Sequence, residues 1–285
     1  MFLWLIILFF ILGFVGSAQV IRQPRYQPAI TPGDYELPWN SLNLLTSDQV
    51  SIAGWLLRHP RPKGILLLLH GFGTGKADLL DMARDLFSQG EYHIILIDFR
   101  GHGYSGGTSL FFGKRETMDI KTVLDFVSQD PSLRQLPIGC LGISMGASIG
   151  WLAGKQFQII RAFVSDSAYI DLSKAVARGI WMSYHIPRFP LGQIVLWATE
   201  MRLGCTFAHL SPLRAAQGWA PRPVMIIHGM RDKTTPYQDA ETLFKANQEP
   251  KKLWLVENSE HVGAFFTQRE EYLNRVLRFF KDGLR

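Results

Sequence analysis

From about residue 40 onward, short apolar runs alternate with stretches in which apolar residues recur every three or four positions. The runs "GILLLLH" (64–70), "HIILIDF" (93–99), "IGCLGI" (138–143), "IIRAFVSD" (159–166) and "PVMIIHG" (223–229) are nearly continuous, as expected of strands buried on both faces. "LNLLT" (42–46) and "VSIAGWLLR" (50–58) read as a strand pair joined through Ser47, Asp48 and Gln49, and "KKLWLVE" (251–257) as a last strand. Helical spacing appears over Ala77–Gln89 and Arg115–Val127, from Met145, from Tyr237, and over Glu270–Lys281. This rhythm predicts an α/β fold with a mostly parallel sheet of about eight strands and helices on both faces.

The rhythm breaks over residues 171–216, which are helical, aromatic and interrupted by Pro187 and Pro190. This is an insertion after the sixth strand, expected to cap whatever lies at that sheet edge. Its Ile180, Trp181, Met182, Tyr184, Ile186, Phe189, Leu191, Ile194, Val195, Leu196 and Trp197 suggest an apolar wall, although packing of the insertion on the core accounts for many of them equally well.

A different pattern occupies the N-terminal 21 residues. "FLWLIILFFILGFV" (2–15) is apolar on every side, and a helix continued to Ile21 is about 30 Å long, one hydrocarbon core. A membrane anchor is expected. A cleaved signal peptide is the alternative, since Gly16-Ser17-Ala18 resembles a cleavage site, but no Lys or Arg precedes the run. Arg22 and Arg25 follow it, which points to a single-pass anchor with the domain on the cytoplasmic side. The proline-rich Arg22–Pro38 reads as an extended tether leading to a domain over residues 40–285.

Composition changes this picture little. Apolar residues make up 47% and charged residues 19%, enough for a large core. The net charge of +6 is scattered and carries no nucleic-acid-binding motif. Two cysteines, Cys140 and Cys205, make no disulfide framework. No metal motif or organic cofactor is implied, and the sequence sets no oligomeric state.

Candidate chemistry rests on two matches to G-x-S-x-G, around Ser105 and Ser144. Ser105 lies in "RGHGYSGG", where no strand ends at the serine and no helix starts, so a structural glycine loop is expected. "HGFGTGKA" (70–77) hints at a phosphate loop, but its first glycine is misplaced and Ala77 stands where Ser or Thr should be. Ser144 has a strand before it and a helix after it, with Gly142 and Gly146 on either side, the context of an exposed nucleophile. A serine needs a base and an orienting acid. Asp232 follows one buried strand and His261 the last, both at the sheet edge that carries Ser144. Asp166 is the alternative acid, and His228 follows a strand but precedes Asp232.

From about residue 40 to the end, the pieces "LLLLHGF", "DFRGHGYSGG", "GISMGA", "HGMRDKTTP" and "SEHVG" resemble the α/β-hydrolase superfamily, in its serine-hydrolase branch with a helical cap. The short apolar N-terminus is similar to that of membrane-attached esterases, lipases and thioesterases. The resemblance implies Ser144 as nucleophile, His261 as general base and then acid, and Asp232 as the group that orients it. It implies an oxyanion hole from the backbone amides of Met145 and Phe72, with His70 supporting that loop and Arg100 and His102 bracing its neighbours. The expected substrate is a small-molecule or lipid-like acyl ester or thioester. A peptidase on the same fold would use the same triad. A non-catalytic scaffold would show disrupted triad positions, and all three are intact.

Overall fold

The computed structural model describes residues 2–22, 24–219 and 221–285; Met1 of the expected anchor and Gln23 of the expected tether lie outside them. Its centre is an eight-stranded sheet of β1 (Trp39–Leu45), β2 (Ser51–Leu57), β3 (Gly64–Leu69), β4 (Tyr92–Ile97), β5 (Ile138–Ile143), β6 (Ile160–Asp166), β7 (Val224–Gly229) and β8 (Lys251–Val256). The order is β1-β2-β4-β3-β5-β6-β7-β8. β1 and β2 join antiparallel and the remaining six run parallel. The helices are α1 (Phe2–Ile21), α2 (Leu80–Gln89), α3 (Glu116–Gln129), α4 (Met145–Gln156), α5 (Leu172–Tyr184), α6 (Gln193–Leu203), α7 (Pro212–Ala216), α8 (Gln238–Ala246), α9 (Ala264–Thr267) and α10 (Arg269–Gly283).

The continuous apolar runs belong to strands that feed two cores at once. Alternate residues point to opposite faces: Ile65, Leu67 and Leu69 of β3 enter one core with α3, α4, α7 and α8, while Leu66 and Leu68 enter the other with α2 and α10. β7 divides likewise, Val224 and Ile226 on one side and Met225 and Ile227 on the other. Every residue of β3, β4, β5 and β7 is buried. Because β3 lies between β4 and β5, the chain reverses its direction of progress there, and a crevice opens at the C-terminal strand ends, where open α/β sheets take ligands.

Within the insertion, α5 starts on Asp171, whose carboxylate accepts hydrogen bonds from the Ser173 and Lys174 amides. α5 and α6 form the cap, whereas α7 packs on α4 and α8 beside the sheet. Arg178 of α5 donates to the Thr234 carbonyl at 2.9 Å, and Lys114 donates to the Leu203 carbonyl at 2.7 Å, so the cap is tied to the domain at both ends.

The N-terminal segments differ from expectation. The tether is extended but fastened, because the glycine loop beneath it presents unpaired carbonyls. Arg25 donates to Ser105 (2.7 Å) and to Gly107, Gln27 donates to Gly103 (2.9 Å), and the Tyr104 hydroxyl donates to Pro28 (3.2 Å). α1 does not stand apart from the domain but lies along α6. Among the described residues, no helix is long and apolar enough to cross a membrane.

Candidate active site

Ser144 sits between β5 and α4 with φ 51° and ψ −116°, a conformation that costs a non-glycine residue about 1–3 kcal/mol. Its neighbours explain how the turn closes. A Cβ on Gly142 would come within 2.5 Å of the Gly146 carbonyl, and one on Gly146 within 2.4 Å of the Leu69 carbonyl, so both positions require glycine. The Ser144 amide is held by the Asp166 carbonyl at 2.8 Å, which leaves the side chain to face the crevice.

His261 Nε2 lies 2.8 Å from Ser144 Oγ, and its Nδ1 lies 2.6 Å from Asp232 Oδ2. The two partners come from the loops after β7 and β8, which interlock. A Cβ on Gly229 would meet the Ser259 carbonyl at 2.4 Å, the Arg231 amide donates to that carbonyl, and the Val262 amide donates to Ser167 Oγ.

Asp232 is buried, and burial alone would raise its pKa. Hydrogen bonds from His228, His261 and the Thr235 amide outweigh that and hold the carboxyl well below the usual carboxylate range. The Thr234 and Thr235 amides donate to its Oδ1 at 2.7 and 2.8 Å, and the Thr235 hydroxyl to its Oδ2 at 2.8 Å. His228 Nε2 lies 3.1 Å from Oδ2. Burial opposes a charge on His228, but its bonds to Asp232 and Thr235 prevail and lift its pKa above the ordinary histidine value. Asp232 is therefore a fixed anion.

Sequence reasoning set His228 aside as a base and missed that it and Thr235 hold Asp232. The available signal was spacing, since both lie within four residues of that carboxylate. Asp166 is occupied elsewhere, accepting from Ser167 Oγ at 2.8 Å and from the Tyr272 hydroxyl at 3.1 Å.

The other expected residues fall around this centre. Met145 opens α4, where an amide has no partner inside the helix. Phe72 lies in the loop after β3, which runs so close to Ser144 that a Cβ on Gly71 would be 3.5 Å from the serine Cβ. Both residues line the crevice with Ser144. His70 is buried beneath that loop, 2.9 Å from the Phe99 amide and 2.7 Å from the Gly71 carbonyl. His102 Nε2 accepts from the Gly73 amide, and Arg100 donates to Asp119 and Asp48.

The remaining motif matches also resolve. Ser105 is fully buried, its hydroxyl donating to the Asp98 carbonyl at 2.6 Å and accepting from the Ala53 amide at 2.9 Å. Lys76, the lysine of the phosphate-loop lookalike, is buried in an ion pair with Asp98. Among the described residues, no group of His, Cys, Asp and Glu side chains is placed to hold a metal ion.

A cavity of about 240 Å³ opens from Ser144 toward the cap. Phe112, Tyr169, Leu172, Val176 and Ile180 form its walls, and among its described lining residues none carries a charge.

Residues 60–200 match the family described as serine aminopeptidase, S33 (Hydrolase_4). The chain is 29% identical over 226 residues to the protein YqkD of Bacillus subtilis (strain 168), covering 79% of this chain and 73% of that one. Its structure is similar to that of the Pyrococcus furiosus esterase Pf2001, with a TM-score of 0.79 at 24% identity, covering 93% of this chain and 98% of the esterase. The Pyrococcus horikoshii acylaminoacyl peptidase is similar at a TM-score of 0.66 and 18% identity over 87% of this chain, which spans 42% of that larger protein. Sheet order, serine turn and these likenesses agree: the chain has the α/β-hydrolase fold.

Proposed function

We propose that this chain is a serine hydrolase that cleaves carboxylic esters or thioesters of apolar, lipid-like acids through an acyl-enzyme. The observation that carries the reading is the continuous path from Ser144 Oγ through His261 to a buried, charged Asp232. The serine proton passes to His261 Nε2 as Oγ attacks the acyl carbon. Amides of Met145 and Phe72 hold the developing oxyanion, an interaction worth about 10²–10³ in turnover per donor. Collapse of the intermediate expels the alcohol or thiol, which takes the proton from His261. Water then repeats the sequence on the acyl-enzyme.

The family description raises an aminopeptidase as the second reading. Such an enzyme needs a carboxylate to hold the substrate ammonium, and the described residues that line the cavity include no acid. That favours an uncharged acyl group. The exposed apolar surface of α1, including Trp4, Leu8, Ile11 and Val15, supports attachment of the domain to a membrane surface.

The test is labelling of the full chain by a fluorophosphonate, followed by turnover of p-nitrophenyl esters of graded chain length and of aminoacyl p-nitroanilides. Labelling with faster ester than anilide turnover is expected. Absence of labelling, or turnover confined to the anilides, overturns the reading.

A further inference from the structure

The last turns of α1 are built into the cap. Gly13 lies so close to α6 that a Cβ there would come within 2.4 Å of Ile194 Cγ2, and a Cβ on Gly16 within 3.2 Å of Val195 Cγ2. Ser17 is fully buried on the same side and accepts from Arg202 Nε at 2.7 Å. Arg202 also donates to the Phe14 carbonyl at 3.0 Å, and its guanidinium lies over the Phe14 ring, 4.0 Å from the centroid. One turn earlier, Phe10 meets Trp197 edge-on. Small residues four apart let two helix backbones approach, and the arginine fixes their register.

The end of the helix is fixed separately. Ile21 is buried in the main core, and its carbonyl accepts from the Leu110 amide at 2.9 Å. Between these two attachments, Gln19 and Val20 face the cavity that holds Ser144. A helix serving only as an anchor has no reason to reach the reaction centre. Here it lines the cavity together with α5.

We propose that α1 is part of the acyl-binding site: Val20 limits the length or bulk of the acyl group, and the docking of Gly13, Gly16 and Ser17 on α6 holds Val20 in place. This rests on the acyl-hydrolase reading, since the cavity selects acyl groups only if Ser144 attacks them. The specificity of the enzyme then depends on a segment more than 120 residues before the nucleophile in the chain. Loss of α1 opens the site instead of merely releasing the protein from a surface.

The experiment compares full-length wild type, Val20→Trp, Gly13→Leu and Arg202→Ala on the graded p-nitrophenyl esters, with rates normalised to the fluorophosphonate-labelled fraction. Val20→Trp is expected to lower the ratio of kcat/KM for long over short esters by about tenfold, the scale set by a methylene in an apolar pocket. Gly13→Leu undocks the helix and flattens the chain-length preference, and Arg202→Ala does so more weakly. Because Val20 lines the cavity and is not among the residues argued to dock α1 on α6, its variant reads specificity even if Gly13→Leu fails to fold. A labelled, ester-hydrolysing wild type whose profile is shared by Val20→Trp overturns this inference alone. A wild type that is neither labelled nor active overturns the hydrolase reading and this inference with it.

Discussion

Two serines in this chain sit in the same five-residue pattern and have opposite surroundings. The Ser105 hydroxyl is spent on the backbone, donating to one main-chain group and accepting from another, and no water reaches it. Ser144 is held through its backbone in a strained turn, while its hydroxyl meets the His261 imidazole. A serine suits the proposed role of nucleophile when the fold fixes its backbone and leaves its hydroxyl to a base. The glycines serve different ends too. Around Ser105 they make room for a buried carboxylate, since a Cβ on Gly103 would meet Asp98 Oδ2 at 2.2 Å. Around Ser144 they let strand and helix backbones touch.

The comparison breaks most directly at the two hydroxyls. Ser144→Ala should abolish fluorophosphonate labelling and lower ester turnover by about 10⁶-fold, the scale seen when such a nucleophile is removed. Ser105→Ala should leave labelling intact but cost about 1–3 kcal/mol of stability by stranding the Ala53 amide, read as a lower denaturation midpoint. If labelling instead survives Ser144→Ala and vanishes in Ser105→Ala, the assignment of roles is reversed.

Next in size is the partner that only Ser144 has. Asp232→Asn keeps the shape but unsettles the tautomer of His261, and turnover should fall about 10⁴-fold with little change in KM. A smaller effect is expected from Thr235→Val, which removes one donor to Asp232 Oδ2; kcat should fall about tenfold, as for a hydrogen bond to a charged group. An unchanged kcat would mean that the two backbone amides and His228 suffice to hold the acid.

The smallest effect is one of pH and should appear in stability. Burial, and next to it the neighbouring His102, lowers the pKa of His70 to about 3. The native protein therefore binds fewer protons there than the unfolded chain, whose histidine titrates near 6.5. Stability attributable to His70 is complete above that value and declines as pH falls toward 3. Melting curves should shift down by a few degrees between pH 7 and pH 5, and less so in His70→Gln. Equal shifts in both proteins would show that His70 does not set the slope.

Much of this was legible in the chain itself. Strands buried on both faces must be apolar throughout, so β3, β4, β5 and β7 stand out from the helices between them. The triad was legible because a serine at a strand-to-helix corner, an acid and a histidine each follow a strand end, and parallel strands bring those ends to one edge. What could not be read was which of several acceptors a donor takes. Arg25 reaches Ser105 across eighty positions and Arg202 reaches Ser17 across 185, and neither pairing leaves a periodic trace. Lys76 is similar: its motif suggests phosphate, while its burial against Asp98 is settled only by tertiary packing.

The fastened linker bears on how such an enzyme searches for substrate. Seventeen flexible residues would let a domain wander roughly 20–25 Å from its point of attachment. Here Arg25, Gln27 and Tyr104 remove that slack. Under the membrane attachment proposed above, such a protein would work as a gauge of fixed height, the mouth of its cavity staying at one distance from the lipid.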